Sequence, residues 1–101
     1  MIYHNIDIPK EKIEEFCRKN HIAKLSFYGS ILRDDFGPKS DIDILVEFEP
    51  GRVPGLLTMA GLEIELGEML GQKVDLRTAA ELSRHFRDEV LREAVEQFVT
   101  S

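Results

Sequence analysis

Residues 25–48 read LSFYGSILRDDFGPKSDIDILVEF, and the rest of the chain takes its meaning from them. Ile22 to Tyr28 alternates as a strand does, with Ala23, Leu25 and Phe27 on one face and Lys24, Ser26 and Tyr28 on the other. Gly29-Ser30 breaks that strand. Ile31 to Phe36 then has room for a turn or two of helix before Gly37-Pro38 ends it. Asp41 to Phe48 is the clearest strand of all. Ile42, Ile44, Val46 and Phe48 share one face, while Asp41, Asp43, Leu45 and Glu47 share the other.

Working outward, residues 1–8 read as loosely attached, with a short extended piece at Met1–Tyr3. Asp7-Ile8-Pro9 starts a helix that runs to Lys19, because proline is well tolerated in a first turn. Ile13, Phe16 and Cys17 fall on its inner side, and Asn20 is the expected left-handed stop. Pro50-Gly51 and Pro54-Gly55 bracket a loop around Arg52. Leu56 to Leu70 is helical, with a Met59, Leu62, Leu66 and Met69 stripe and Gly71 as its cap. Lys73 to Arg77 is a third strand with Val74 and Leu76 opposite Asp75. From Ala79 onward the pattern is helical, and Val95–Val99 reads either as its last turn or as a short strand. The order α-β-α-β-α-β-α predicts one α/β (α+β) domain over residues 1–101, built of two or three layers around a small sheet.

Composition removes several classes of function. A 43% hydrophobic and 32% charged chain is an ordinary globular protein, and none of its apolar runs approaches the ~20 residues that span a bilayer. A net charge of −6 opposes direct binding to nucleic acid, which depends on neutralising phosphates; it suits a cation site or a basic protein partner. The single cysteine, Cys17, cannot form an internal disulfide, so a cytoplasmic location is expected. A core this small favours association with a further chain, as a homo- or hetero-oligomer.

The chemistry sits on the aspartates. Two carboxylates at i and i+2 on a strand point the same way, with Cα atoms about 6–7 Å apart. Converging from that separation, Asp41 and Asp43 can hold two divalent ions about 4 Å apart, the arrangement of two-metal phosphoryl transfer. All-oxygen ligands suit Mg²⁺ or Mn²⁺ rather than zinc. Asp75 supplies a third carboxylate if its strand lies beside that of Asp43. At the other end of the motif, Gly29 lets backbone approach a phosphate, Ser30 adds a hydroxyl, and the helix start adds unpaired N–H groups. Arg33 is placed to neutralise phosphate charge, and Ser40 either bonds the ligand or ends the loop. A lone Asp-x-Asp or Gly-Ser is common on solvated surfaces; their order along the chain carries the reading. His4, His21 and His85 read as surface residues without partners, and Arg84, Arg87 and Arg92 as an exposed helical face.

That order, from strand and Gly29-Ser30 through Arg33 and Ser40 to Asp41-Ile42-Asp43 and then Leu-Gly-Gln-Lys-Val-Asp-Leu at 70–76, resembles the nucleotidyltransferases of the DNA polymerase β type. More closely, it is similar to the minimal nucleotidyltransferase (MNT) proteins, over roughly Pro9 to Ala94. The resemblance implies a mixed sheet, with Gly29 and Ser30 on the triphosphate, Asp41 and Asp43 on metal and Asp75 as the third carboxylate. It further implies an antitoxin paired with a HEPN-domain ribonuclease toxin, acting by transfer of AMP from ATP to a toxin tyrosine. Two positions depart from the family pattern: Leu32 and Asp34 flank Arg33 where a small residue and a glycine are usual. A reading of another class is a binding module that masks its partner by contact around a vestigial nucleotide site. A transferase acting on a small hydroxylated molecule is a third, for which the chain leaves little room.

Overall fold

The apolar alternation along the two central strands creates one face that must be covered, and two helices cover it. The chain, described by a computed structural model over residues 2–4 and 6–100, forms a four-stranded sheet with those helices packed on one side. Helix α1 (Lys10–Lys19) leads into β3 (Ile22–Tyr28), which pairs antiparallel with β4 (Ile42–Phe48). Helix α2 (Leu56–Leu70) returns the chain so that β5 (Val74–Thr78) runs parallel to β4. A short helix α3 (Arg87–Glu93) precedes β6 (Val95–Val99), which pairs antiparallel with the free side of β3. The sheet order is β5-β4-β3-β6, and the sheet is mixed as expected. At the N-terminus, β1 (Ile2–Tyr3) and β2 (Ile6–Asp7) make a separate antiparallel pair; the part of that expectation concerning Met1 falls outside the described residues.

The main core joins Ile13, Phe16 and Cys17 of α1 and Leu62, Leu66 and Leu70 of α2 to Leu25, Phe27, Ile42, Ile44, Val46, Val74, Leu76 and Phe98 of the sheet. The alternation of β4 is reproduced residue for residue. That of β3 is not: a bulge between Ile22 and Lys24 puts Ile22 in the core and leaves Ala23 half-buried. A second irregularity separates Leu25 from Ser26 on the side facing β6. Tyr28, Leu45 and Leu82 form a smaller cluster on the opposite face, with Val90 and Ala94 against it. That face is otherwise open. The N–H of Leu76 donates to the Glu63 carboxylate at 2.9 Å, which occupies part of the outer edge of β5.

Three local expectations change. The segment Ile31–Phe36 is not a helix; a single 3₁₀ turn, Gly29–Leu32, is all that forms before the chain extends at Arg33. Asn20 has φ −104° and stops α1 by donating its side-chain amide to the Phe16 carbonyl at 2.9 Å, while the left-handed position passes to His21 at φ 56°. The helix expected from Ala79 breaks into a 3₁₀ turn (Ala79–Glu81) and the two-turn α3, with β6 taking Val95–Val99. Arg87 holds the break together by donating to the Leu82 carbonyl at 2.9 Å. Gly71, at φ 73°, caps α2 as the sequence implied. Among the described residues, no helix is long and apolar enough to cross a membrane.

Leu66 is fully buried between α2 and the sheet. Leu66→Ala is expected to cost about 3 kcal/mol in urea unfolding, whereas Val99→Ala on the exposed edge strand should stay within about 0.5 kcal/mol of the parent.

Candidate active site

Parallel pairing of β4 with β5 sets Asp43 directly beside Asp75, and antiparallel pairing of β3 with β4 sets Tyr28 on the other side of Asp43. The three side chains form one row across the open face. Asp41 precedes β4, and the Ser30 hydroxyl donates to its carbonyl at 3.0 Å, so the glycine turn is fastened to the start of the aspartate strand. The parallel register begins where the N–H of Ile42 meets the Lys73 carbonyl at 2.8 Å. Gln72 reaches back to donate to the carbonyls of Gly37, at 3.0 Å, and of Ser40. These contacts fix the loop that delivers Asp41.

Gly29 has two reasons to be glycine. Its φ is +71°, and a Cβ there would lie 2.5 Å from a carboxylate oxygen of Asp43. Its lack of a side chain therefore makes room for Asp43. Asp43 sits in this notch with its pKa raised, chiefly because burial disfavours its charge. The Ser30 backbone N–H bonds it and opposes the rise; Asp75 and Asp41 add like-charge repulsion. Tyr28 is pushed up to about 12 by its own burial and then by Asp43 and Asp75. Oxygen donors of this kind are the type that hard cations prefer.

The carboxylates do not close into a cage as they stand. Among the described residues, no group of three or more His, Cys, Asp and Glu side chains could hold an ion. Arg77 donates to Asp75 at 3.2 Å, and its own pKa is raised mainly by that carboxylate. The Lys73 ammonium stands 3.9 Å from Asp41. Two cations of the protein thus partly balance the acidic row. Arg77 and Lys73 were not singled out in the sequence. Arg77 had a signal, since i and i+2 on a strand share a face.

The remaining predicted residues fare differently. Ser40 ends the loop, its hydroxyl accepting the Gly37 N–H at 3.1 Å. Arg33 is exposed and pairs with Asp35 at 3.4 Å, which offsets part of the negative charge beside the turn. His4, read as partnerless, donates its Nε2–H to the Ile31 carbonyl at 2.8 Å and lies against Phe36, so the N-terminal hairpin buttresses the turn. Further along the same face, beyond Leu45, an apolar groove of 480 Å³ is lined by Ser26, Leu45, Val53, Ala79, Leu91 and Ala94 among others.

Paired carboxylates beside a glycine turn on an open sheet face suit metal-assisted chemistry on a phosphate. The sequence matches the nucleotidyltransferase domain family over residues 10–99, and the chain belongs to that family. It is an enzyme of the minimal nucleotidyltransferase branch. A candidate protein adenylyltransferase of Methanocaldococcus jannaschii is 39% identical over 92 residues, covering 91% of this chain and 97% of the relative. The protein adenylyltransferase MntA of Thermococcus cleftensis is 38% identical, covering 81% of each chain. Among solved structures, a toxin–antitoxin with AMP-PNP superposes with a TM-score of 0.74 at 22% identity, over 93% of this chain and 76% of that one.

The raised pKa of Asp43 has a stability consequence. The folded state holds the Asp43 proton more tightly than the unfolded chain does. Asp43 therefore favours folding least once pH has risen through its folded pKa. In chelating buffer, Asp43→Asn is expected to melt above the parent at pH 7, and the difference should vanish as pH falls below the ordinary carboxylate range. Gly29→Ala should lower stability by about 1–2 kcal/mol in the same melts, through left-handed strain and the clash with Asp43.

Proposed function

We propose that this chain is a Mg²⁺-dependent adenylyltransferase that moves AMP from ATP to a hydroxyl, a tyrosine, of a HEPN-type ribonuclease toxin, and so acts as the antitoxin of that pair in the cytoplasm. The observation that carries the proposal is the register that sets Asp43 beside Asp75, with Gly29 against Asp43. The names of the relatives as protein adenylyltransferases and the fold shared with a toxin–antitoxin complex support it.

Asp41, Asp43 and Asp75 would hold the metal, Mg²⁺ or in its place Mn²⁺, which supplies charge neutralisation for the triphosphate and a lowered pKa for the acceptor. The triphosphate would lie at Gly29-Ser30, within reach of the Ser30 hydroxyl that donates to the Asp41 carbonyl. The acceptor oxygen attacks the α-phosphorus as the bond to the bridging oxygen breaks and pyrophosphate leaves. In-line displacement brings the acceptor from the side opposite the leaving group. With the glycine turn at the start of β4, that is the end of the sheet bearing the apolar groove. Asp75 would receive the acceptor proton on the oxygen that Arg77 leaves free. Most of the rate enhancement in such a site comes from positioning and charge.

The masking-module reading predicts the same complex without transfer. Incubating the chain and its toxin partner with labelled ATP and Mg²⁺ separates the two. Label is expected on the toxin, reduced by about 100-fold or more in Asp41→Asn/Asp43→Asn. A second readout is thermal: Mg²⁺ should raise the melting temperature of the parent and leave that double variant unchanged. Undiminished transfer by the folded double variant would sink the assignment.

A further inference from the structure

Helix α2 buries one side against the sheet and leaves the other apolar. Leu57 is 91% exposed and Ile64 63% exposed, with exposed Ala60 and Gly61 between them. At 100° per residue these four positions fall within about 60° of one line along the helix, spanning about 10 Å. Leu56, at 88% exposure, continues the apolar surface at its N-terminal end. A solvated helix face has no reason to carry this stripe.

The pattern is symmetric about its own middle. A two-fold axis between Ala60 and Gly61 sets Leu57 of one helix on Ile64 of an antiparallel copy, and Ile64 on Leu57, with the two small residues at the crossing. Small residues there let two helix axes approach to about 8 Å. The charges follow the same symmetry. Among its three glutamates and no Lys or Arg, α2 carries Glu65 and Glu68 exposed near its C-terminal end. Arg52, exposed and without an anionic partner among the described residues, lies just before the N-terminal end. Antiparallel pairing brings Arg52 toward Glu68 twice, whereas parallel pairing sets glutamate on glutamate. An anionic membrane is disfavoured by the same glutamates. Helical side chains that match themselves in shape and charge under one rotation fit a second copy of this chain.

We infer that the outer face of α2 is a homodimer interface, with the two helices antiparallel and crossing at Ala60 and Gly61. The inference does not depend on the catalytic proposal, because α2 packs on the face of the sheet opposite Asp43 and Asp75. Both open faces remain accessible in such a dimer.

Sedimentation velocity of the full chain alone, over low-micromolar to sub-millimolar concentrations, is expected to show the 11.6 kDa species giving way to one of twice its mass. Leu57→Glu and Ile64→Glu should each leave only the monomer while melting as the parent does at concentrations where the parent is itself monomeric. Arg52→Glu should weaken association about fivefold, from two exposed ion pairs lost, and Glu68→Arg in the same chain should restore it. A short bismaleimide should link Ala60→Cys chains into dimers, since Cys17 is buried with its pKa raised to about 12. A parent that stays monomeric throughout overturns the inference. So does association that survives Ile64→Glu, or a charge swap that fails to rescue.

Discussion

The structure depends on holding two carboxylates side by side where both are partly withdrawn from water. Nothing about Asp43 and Asp75 favours their being neighbours; Asp75 disfavours the charge of Asp43. Their proximity is imposed by the opposite face of the same two strands, where Ile42, Ile44, Val74 and Leu76 pack under α2. Each strand is thus a lever with an apolar side that wants burial and an acidic side that follows. Burying those side chains contributes roughly 1.5–3 kcal/mol apiece. That is ample to hold an unfavourable pair in register.

The surrounding contacts read as management of that pair. Gly29 leaves a notch for Asp43, the Ser30 N–H bonds it, Arg77 draws Asp75 aside, and Lys73 stands near Asp41. Such an arrangement is tolerable in isolation and better satisfied with a cation present. A functional site commonly carries this kind of local cost within an otherwise consistent fold.

How much was legible in the sequence follows from which interactions are local. The faces of β4, the span of α2 and the Gly71 cap are set by residues within a turn or a strand of one another, and each was readable. The Gly-Ser turn and the three aspartates were readable as chemistry, but their juxtaposition rested on strand order, which no single segment encodes. The helix expected after Ser30 was lost because Arg33 extends and the hairpin contact from His4 secures the turn instead. The long final helix was overruled by the free edge of β3, whose ladder accepts Val95–Val99. Arg77 shares a strand face with Asp75 two residues earlier, but its weight comes from the acidic row that strand order assembles around that carboxylate.

The bulge at Ile22/Lys24 and the irregularity at Leu25/Ser26 fall on the two sides of β3, both upstream of Tyr28. They have a mechanical effect. Between them, the part of β3 that aligns Tyr28 with Asp43 is offset from the strand's beginning, while Ser26 and Phe27 stay paired with Glu96 and Val95 of β6. A slip of the Phe98–Val99 end of β6 would be absorbed at Leu25/Ser26 before it reached the acidic row. That end of the outer strand can therefore drift in sequence while the spacing of the aspartates stays fixed.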